Sequence, residues 1–275
     1  MHAAGRGLHK PLVSIIIPTH NYGRFLSEAI ESALAQTYKN IEILVVDDGS
    51  TDNTRHVVEK YPSVRYVYQK HSGVANAMNV GISLAKGEFF ICLGADDKLH
   101  PDFTHKCIKE MLKGKRIGFV WTATQEFGES DKLRIPRLLH HRFSVLRGTG
   151  GQLGTALIRK KAFEEVGGYD EALPAFEDWD LAIRMYQKGW KGKPIFEPLH
   201  FTRVHEKRLT AKAEREKLHQ YLEHKYPIMK LYVYVSRIFD FIVLFLTRPN
   251  IAVIRLWNKV ICRIFKNEPL IKEEG

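Results

Sequence analysis

Two pairs of adjacent aspartates, Asp47-Asp48 and Asp96-Asp97, each end a largely apolar run, Ile41–Val46 and Phe89–Leu93. Runs of this kind suit strands buried on both faces, as in a parallel sheet. Two carboxylates at the mouth of such a strand repel each other and lose solvation, so a compensating cation is expected. Oxygen ligands favour a hard divalent ion, Mg²⁺ or Mn²⁺, which commonly also holds a phosphate-bearing ligand. Taken alone, Asp96-Asp97 reads equally as a polar strand-end turn, with Asp96 capping a helix that starts near Pro101. The recurrence of the pattern favours a site, because a helical stretch between the runs brings both pairs to the C-terminal edge of one sheet, where open α/β sheets bind ligands.

Further along, Glu177, Asp178 and Asp180 open a helix beside Phe176 and Trp179. Acids there can simply complement the helix dipole. In an apolar setting, however, a carboxylate has a raised pKa and can serve as a base. Arg203 and His205 end a strand-like segment, 196–205, and imidazole is accepted by ions that also take oxygen ligands. Between residues 130 and 151 lie Lys132, Arg134, Arg137, Arg142 and Arg147 with His140 and His141, against Asp131 alone. This is either a solvated surface loop or a cradle for an anion. The glycine-rich stretch Gly148–Gly154 fails the dinucleotide fingerprint at Leu153 and follows no strand, so it reads as a hinge.

The elements that must position these groups alternate. Strands are expected at 12–17, 41–46, 64–68 and 89–93, with helices along 26–34, 55–60 and 73–85 between them, which predicts a doubly wound α/β sheet. A helix at 102–113, a strand at 117–124, a short helix at 162–166 and the helix from 177 to a stop at Gly189 follow. The organisation expected is an N-terminal tail over 1–11, a catalytic domain over 12–214 and a basic helical extension over 215–275.

Composition is that of a globular protein, with 44% apolar and 27% charged residues. The net charge of +11 points to an anionic partner. Cys92, Cys107 and Cys262 have neither zinc spacing nor an even count, which fits a reducing compartment. Residues 1–10 lack the apolar core of a signal peptide, so a cytoplasmic location is expected. From 225 to 266 eight Lys and Arg face a single acid, Asp240, and the apolar stretch 231–246 is too short and too charged to span a bilayer. That tail reads either as helices packed on the domain or in an oligomer, or as a peripheral contact with the anionic cytoplasmic face of a membrane. The basic charge lies in a loop and an apolar tail without a recognition motif, so nucleic acid is not the expected partner.

In order along the chain stand Val13–Asn21, Gln36-Thr37-Tyr38, Val45–Asp52, Asn79–Ile82, Gly87-Glu88-Phe89, Gly94–Asp97, Gly167–Glu171 and Glu177–Leu181. The ordered set resembles the family 2 glycosyltransferases of the GT-A fold over about residues 12–210. The resemblance implies a Rossmann-like, mostly parallel sheet flanked by helices. It also implies an inverting, metal-dependent transfer of a sugar from a nucleotide-sugar, a UDP-sugar foremost, to a hydroxyl of a cell-surface glycan or lipid-linked saccharide. On that footing Pro18, Thr19, Asn21, Tyr22 and Asp48 hold the nucleotide, and Asp96 and Asp97 match the DXD-type motif, with Asp97 preferred for Mn²⁺ or Mg²⁺ and His205 beside it. Arg203 lies near the diphosphate. Asp178 matches the general base, with Glu177 as the alternative. Two departures are visible: Gly94 stands where many members carry another Asp, and Met78 where some carry Arg. Arg134, Arg137 and Arg142 are the candidates to dock an anionic acceptor.

Two rivals remain from the residues. A sugar-phosphate nucleotidyltransferase shares the sheet and the carboxylates but carries a glycine-rich basic loop after its first strand, where this chain has Pro18–Gly23 and only Arg24 nearby. A non-catalytic, membrane-associated nucleotide-binding scaffold would have no need to keep Asp48, Asp96, Asp97 and Asp178 together.

Overall fold

The first strand, β1 (Val13–Thr19), is buried along almost its whole length. Both of its neighbours run parallel to it: β2 (Ile41–Asp48) on one side and β4 (Phe89–Cys92) on the other. β3 (Arg65–Gln69) adds parallel to β2. Helices α1 (Gly23–Leu34), α2 (Thr54–Val58) and α3 (Val74–Leu84) make the crossovers. This computed structural model describes residues 10–136, 153–173, 176–205, 221 and 224–226. The chain divides into two compact units, Met1–His219 and Gln220–Gly275. The first holds every element named here.

The second half of the sheet is mixed. After β5 (Lys98–Leu99) and α4 (Phe103–Met111) come the long β6 (Ile117–Gly128) and the short β7 (Leu133–Arg134). A 3₁₀ turn at Leu153–Thr155, β8 (Ala156–Arg159), α5 (Lys160–Glu165), α6 (Glu177–Gln187) and β9 (Lys191–Val204) complete the unit. The nine-stranded sheet has the order β3-β2-β1-β4-β8-β6-β9-β5, with β7 paired to β6. β8 lies antiparallel to both β4 and β6, whereas β9 runs parallel to β6. The sheet is thus parallel throughout its first half and along its longest ladder, β6 with β9, and antiparallel only where the short strands β5, β7 and β8 pair. Short strands such as β5, β7 and β8 carry too few residues to show a period.

β9 begins at Lys191 rather than Phe196, earlier than the sequence suggests. Pro194 and Pro198 lie in it and donate no ladder hydrogen bond, which obscures the pattern. The ladder with β6 shifts register at Ala123, opposite Pro198.

The core runs on both faces of β4: Phe89, Phe90, Ile91 and Leu93 are completely buried. Phe90 meets Phe163 of α5 edge to face at 5.1 Å. One of the sequence motifs proves to be a staple. Buried Gln36 accepts hydrogen bonds from the Thr104 amide (2.9 Å) and hydroxyl (2.8 Å) and donates to the His100 carbonyl (2.9 Å), tying α1 to α4. Tyr38 donates to the Pro11 carbonyl at 2.5 Å.

α3 comes so close to the sheet that a Cβ on Gly81 would lie 2.5 Å from Ile16 Cγ2 and 3.0 Å from Val46 Cγ2. Ile16 is fully buried and has nowhere to move. Overpacking costs about 1–3 kcal/mol, against the ~1 kcal/mol that alanine gains over glycine in a helix. Gly81→Ala is expected to lower the urea midpoint without changing the slope of the transition; an unchanged or raised midpoint would show that α3 shifts freely.

Candidate active site

Because β1 to β4 are parallel, their C-terminal ends share one edge. In register, Thr19 lies beside Asp47, and Asp48 beside Gln69. Asn21, in the left-handed region with φ 58°, locks the loop after β1 onto the loop after β2. Its amide donates to Ser50 Oγ at 2.8 Å, and its side-chain oxygen accepts the Thr51 amide at 2.8 Å. Pro18 and Thr19 end β1, and Tyr22 lies against Phe25 (6.1 Å between rings) and His205 (5.9 Å).

Asp48 is buried and anchored. Oδ1 accepts from the Ser72 amide (2.8 Å) and Gln69 Nε2 (2.7 Å), and Oδ2 from the Gly73 amide (2.9 Å). Burial alone would raise its pKa; these donors, with His71, hold it below the ordinary carboxylate value. Gln69 Nε2 also donates to Asn76 Oδ1 (2.8 Å), Asn76 donates to Glu171 (2.9 Å), and Asn79 donates to the other Glu171 oxygen (2.8 Å). Asn79 Nδ2 also donates to the Tyr169 carbonyl (3.0 Å), while its oxygen accepts the Tyr169 amide (3.0 Å). Gly168, with φ 80°, makes this close approach possible: a Cβ there would lie 3.1 Å from Asn79 Oδ1. A hydrogen-bonded chain thus links the end of β2 to the segment leading into α6.

Beyond β4, the two carboxylates of the second pair have different surroundings. Asp97 Oδ1 accepts the Arg203 amide (2.9 Å), and Oδ2 faces His200 Nε2 (3.1 Å). Burial raises its pKa, but His200, the Arg203 amide and Thr202 bring it below the ordinary value. Asp96 Oδ2 faces His205 Nε2 at 3.1 Å. Its pKa is raised, first by burial and then by the charge of Asp97, with His205 opposing. A Cβ on Gly94 would lie 3.1 Å from both carboxylates, so a third acid there would crowd the pair further.

Arg203 packs beneath the aspartate turn. Its Nε donates to the Asp96 carbonyl (3.2 Å) and its Nη2 to Glu28 (2.7 Å), with the guanidinium over the rings of Phe25 (4.5 Å) and Phe127 (4.4 Å). It braces the aspartate turn from below. Both oxygens of Asp97 are turned to β9, whereas Asp96 and His205 face each other. His200, Glu28, Gln69, Asn76 and Glu171 were not singled out from sequence. Asn79 and Glu171 belong to the resemblance motifs, which was the available signal.

The acids of α6 also divide. Asp180 is fully buried and bonds Arg184 Nε (2.7 Å), while Arg184 Nη1 donates to the Val166 carbonyl (2.6 Å) and fastens α6 to the end of α5. Glu177 is pushed up to about 7, first by burial and then by the charge of Asp178. Tyr169 Oη reaches Cys92 Sγ at 3.9 Å and lies in the field of both acids. Cys92 ends β4, so the acid pair sits at the strand end from which Asp96 emerges. Phe176, which precedes the pair at φ 62°, meets Trp179 edge to face at 5.9 Å.

Arg134 lies in β7 and is ion-paired with buried Glu126. Arg137 and Arg142 lie outside the described residues, as do Arg147, the hinge glycines up to 151 and the tail from 227 to 275. No helix among the described residues is long and apolar enough to cross a membrane.

Comparison with known proteins agrees with this architecture. The sequence model "Glycosyl transferase family 2" matches residues 14–167, and "Glycosyltransferase like family 2" matches 151–217. An uncharacterized glycosyltransferase of Rickettsia prowazekii (strain Madrid E) is 34% identical over 201 residues, covering 66% of this chain and 61% of that protein. A chondroitin synthase of Pasteurella multocida (strain Pm70) is 31% identical over 185 residues, 65% of this chain and 19% of that protein. The chain thus spans about three fifths of the first relative's length and far less of the synthase's. Among solved structures, S. aureus TarS 1-349 in complex with UDP-GlcNAc has the same fold, with TM-score 0.61 at 20% identity over 71% of this chain and 59% of that one. With more than half of its length matched by the family model, the chain belongs to glycosyl transferase family 2.

Proposed function

We propose that this chain transfers a sugar from a nucleoside diphosphate sugar to a hydroxyl acceptor with inversion at the anomeric carbon. The observation that carries the reading is that two acid pairs are tied to β4: Asp96 and Asp97 follow the strand, with His205 facing Asp96 at 3.1 Å, while Glu177 acts on Cys92, which ends the strand, and Glu177 and Asp178 both act on Tyr169 beside it. The TarS structure with UDP-GlcNAc and the synthase relatives support a UDP-sugar donor and a glycan or lipid-linked acceptor for this chain as well.

Asp48, Thr19 and Asn21 line the edge where the base and ribose would lie, with Asp48 fixed in its ionised form as an acceptor. Asp96 and His205 fit a divalent ion: a carboxylate oxygen and an imidazole nitrogen face each other at 3.1 Å, and the neighbouring charge of Asp97 favours a cation beside Asp96. When bound there, Mn²⁺ or Mg²⁺ supplies positive charge against the departing diphosphate. Asp178 is the base that takes the acceptor hydroxyl's proton, and Glu177, holding its own proton near neutrality, keeps a second charge out of the pocket. Arg184 and Asp180 hold α6 so that this pair stays at the strand end. The basic stretch 130–151 would dock an anionic acceptor through Arg137 and Arg142, since Arg134 is already paired. A peripheral seat on the cytoplasmic face of a membrane, through residues 225–266, fits the same acceptor class.

Three outcomes test this. Asp178→Asn should retain UDP binding by calorimetry yet lose about 10²–10⁴-fold in kcat; near-normal turnover would move the base to Glu177. Asp96→Asn should abolish the Mn²⁺-dependent part of UDP binding, whereas Asp97→Asn should chiefly lower Tm by loosening His200 and Arg203 from the turn. The reverse pattern would return the ion to Asp97. Glu177 has a folded pKa of about 7 against an ordinary 4.5. The folded state therefore holds a proton that the unfolded chain releases first, and its stabilising contribution is lost as pH rises between those values. Glu177→Gln should flatten the fall in Tm between pH 5 and pH 8, read by differential scanning fluorimetry; an unchanged slope would place the charge elsewhere.

A further inference from the structure

Among the described residues one group of three metal-ligating side chains stands apart from Asp96 and His205. His20, Asp48 and His71 each offer a ligand atom, and these atoms all lie within 4.8 Å of one another. The topology delivers them: His20 follows β1, Asp48 ends β2, and His71 follows β3, three strands adjacent in the sheet. Both imidazoles turn the same nitrogen to the same residue. His20 Nδ1 is 2.7 Å from the Asp48 carbonyl oxygen, and His71 Nδ1 is 2.8 Å from Asp48 Oδ2 and 3.1 Å from that carbonyl. Their rings stack at 4.1 Å, 25° from coplanar.

Satisfying Asp48 does not require this arrangement. The Ser72 and Gly73 amides and Gln69 already give its carboxylate three donors. The His71 side chain is 61% exposed, so its ring is open to exchange with solvent. Two imidazole nitrogens and one carboxylate oxygen, with an open side for water, match the ligand preferences of Zn²⁺ and its borderline neighbours rather than those of Mg²⁺ or Ca²⁺.

We propose that His20, His71 and Asp48 form a second metal site, selective for Zn²⁺-like ions, whose occupation excludes nucleotide from this edge of the sheet. The exclusion rests on the reading of Asp48 as a nucleotide-binding residue; the metal site itself does not. An enzyme using Mn²⁺ or Mg²⁺ at Asp96 would then be inhibited by Zn²⁺ through a different set of residues.

The test is calorimetric titration of zinc chloride into the full chain carrying Asp96→Asn, which removes the other ion-binding pair. One equivalent should bind, and His71→Ala in that background should weaken binding by about tenfold or more. Tm should stay unchanged, because the ring is exposed. His20→Ala serves as the second variant. Zn²⁺ affinity unchanged from the Asp96→Asn parent in both histidine variants, or no binding in that parent, overturns the site. Saturating UDP should weaken Zn²⁺ binding. If Zn²⁺ binding depends on His71 but ignores UDP, the metal site stands and the nucleotide role of Asp48 falls.

Discussion

Asp96 and Asp97 leave the end of a fully buried strand side by side, and burying two like charges is the constraint that the second half of the sheet answers. β9 and the residue that follows it supply the answer. His200 and the Arg203 amide take Asp97, His205 takes Asp96, and the Arg203 guanidinium clamps the turn from the Asp96 carbonyl to Glu28. Without that strand the pair would be two uncompensated anions in a low-dielectric setting. With it, Asp97 is held by two partners on β9, while Asp96 keeps a raised pKa beside His205.

The same division of labour recurs in α6, where Asp180 is spent on Arg184 while Glu177 and Asp178 remain at the cleft. It recurs again at the end of β2. Asp47 accepts the Ser50 amide (2.8 Å) and the Tyr66 hydroxyl (2.6 Å), shaping the glycine turn, while Asp48 accepts the Ser72 and Gly73 amides and Gln69. In each acidic cluster one member builds the scaffold that fixes the other. A motif of adjacent acids is therefore a poor guide to how many of them meet a ligand.

The chain from Asp48 through Gln69, Asn76 and Glu171 to Asn79 and Tyr169 gives the two sides of the site a shared support. Its residues are amides and one exposed carboxylate, individually unremarkable. Their effect is to tie the loop before α6 to the helix behind the nucleotide edge, so that the acid pair and Asp48 are referenced to one rigid element, α3. Gly81, packed against Ile16 and Val46, sets the height of that element above the sheet.

The sequence by itself determined the alternation of strands and helices, the burial of β1, β2 and β4, and the delivery of both aspartate pairs to one edge. Those features follow from local periodicity and from the handedness of parallel crossovers. It also showed the ordered motifs that place the chain in its family. What it could not show is how each member of a pair is engaged, because that depends on partners a hundred residues away: His200 and Arg203 for Asp97, and His205 for Asp96. Nor could it show that Arg203 braces rather than reaches, or that β8 enters the sheet antiparallel between β4 and β6. A hydrogen bond across the sheet leaves no period in the chain. Tertiary structure alone decided those pairings, since only folding brings the end of β9 beside the end of β4.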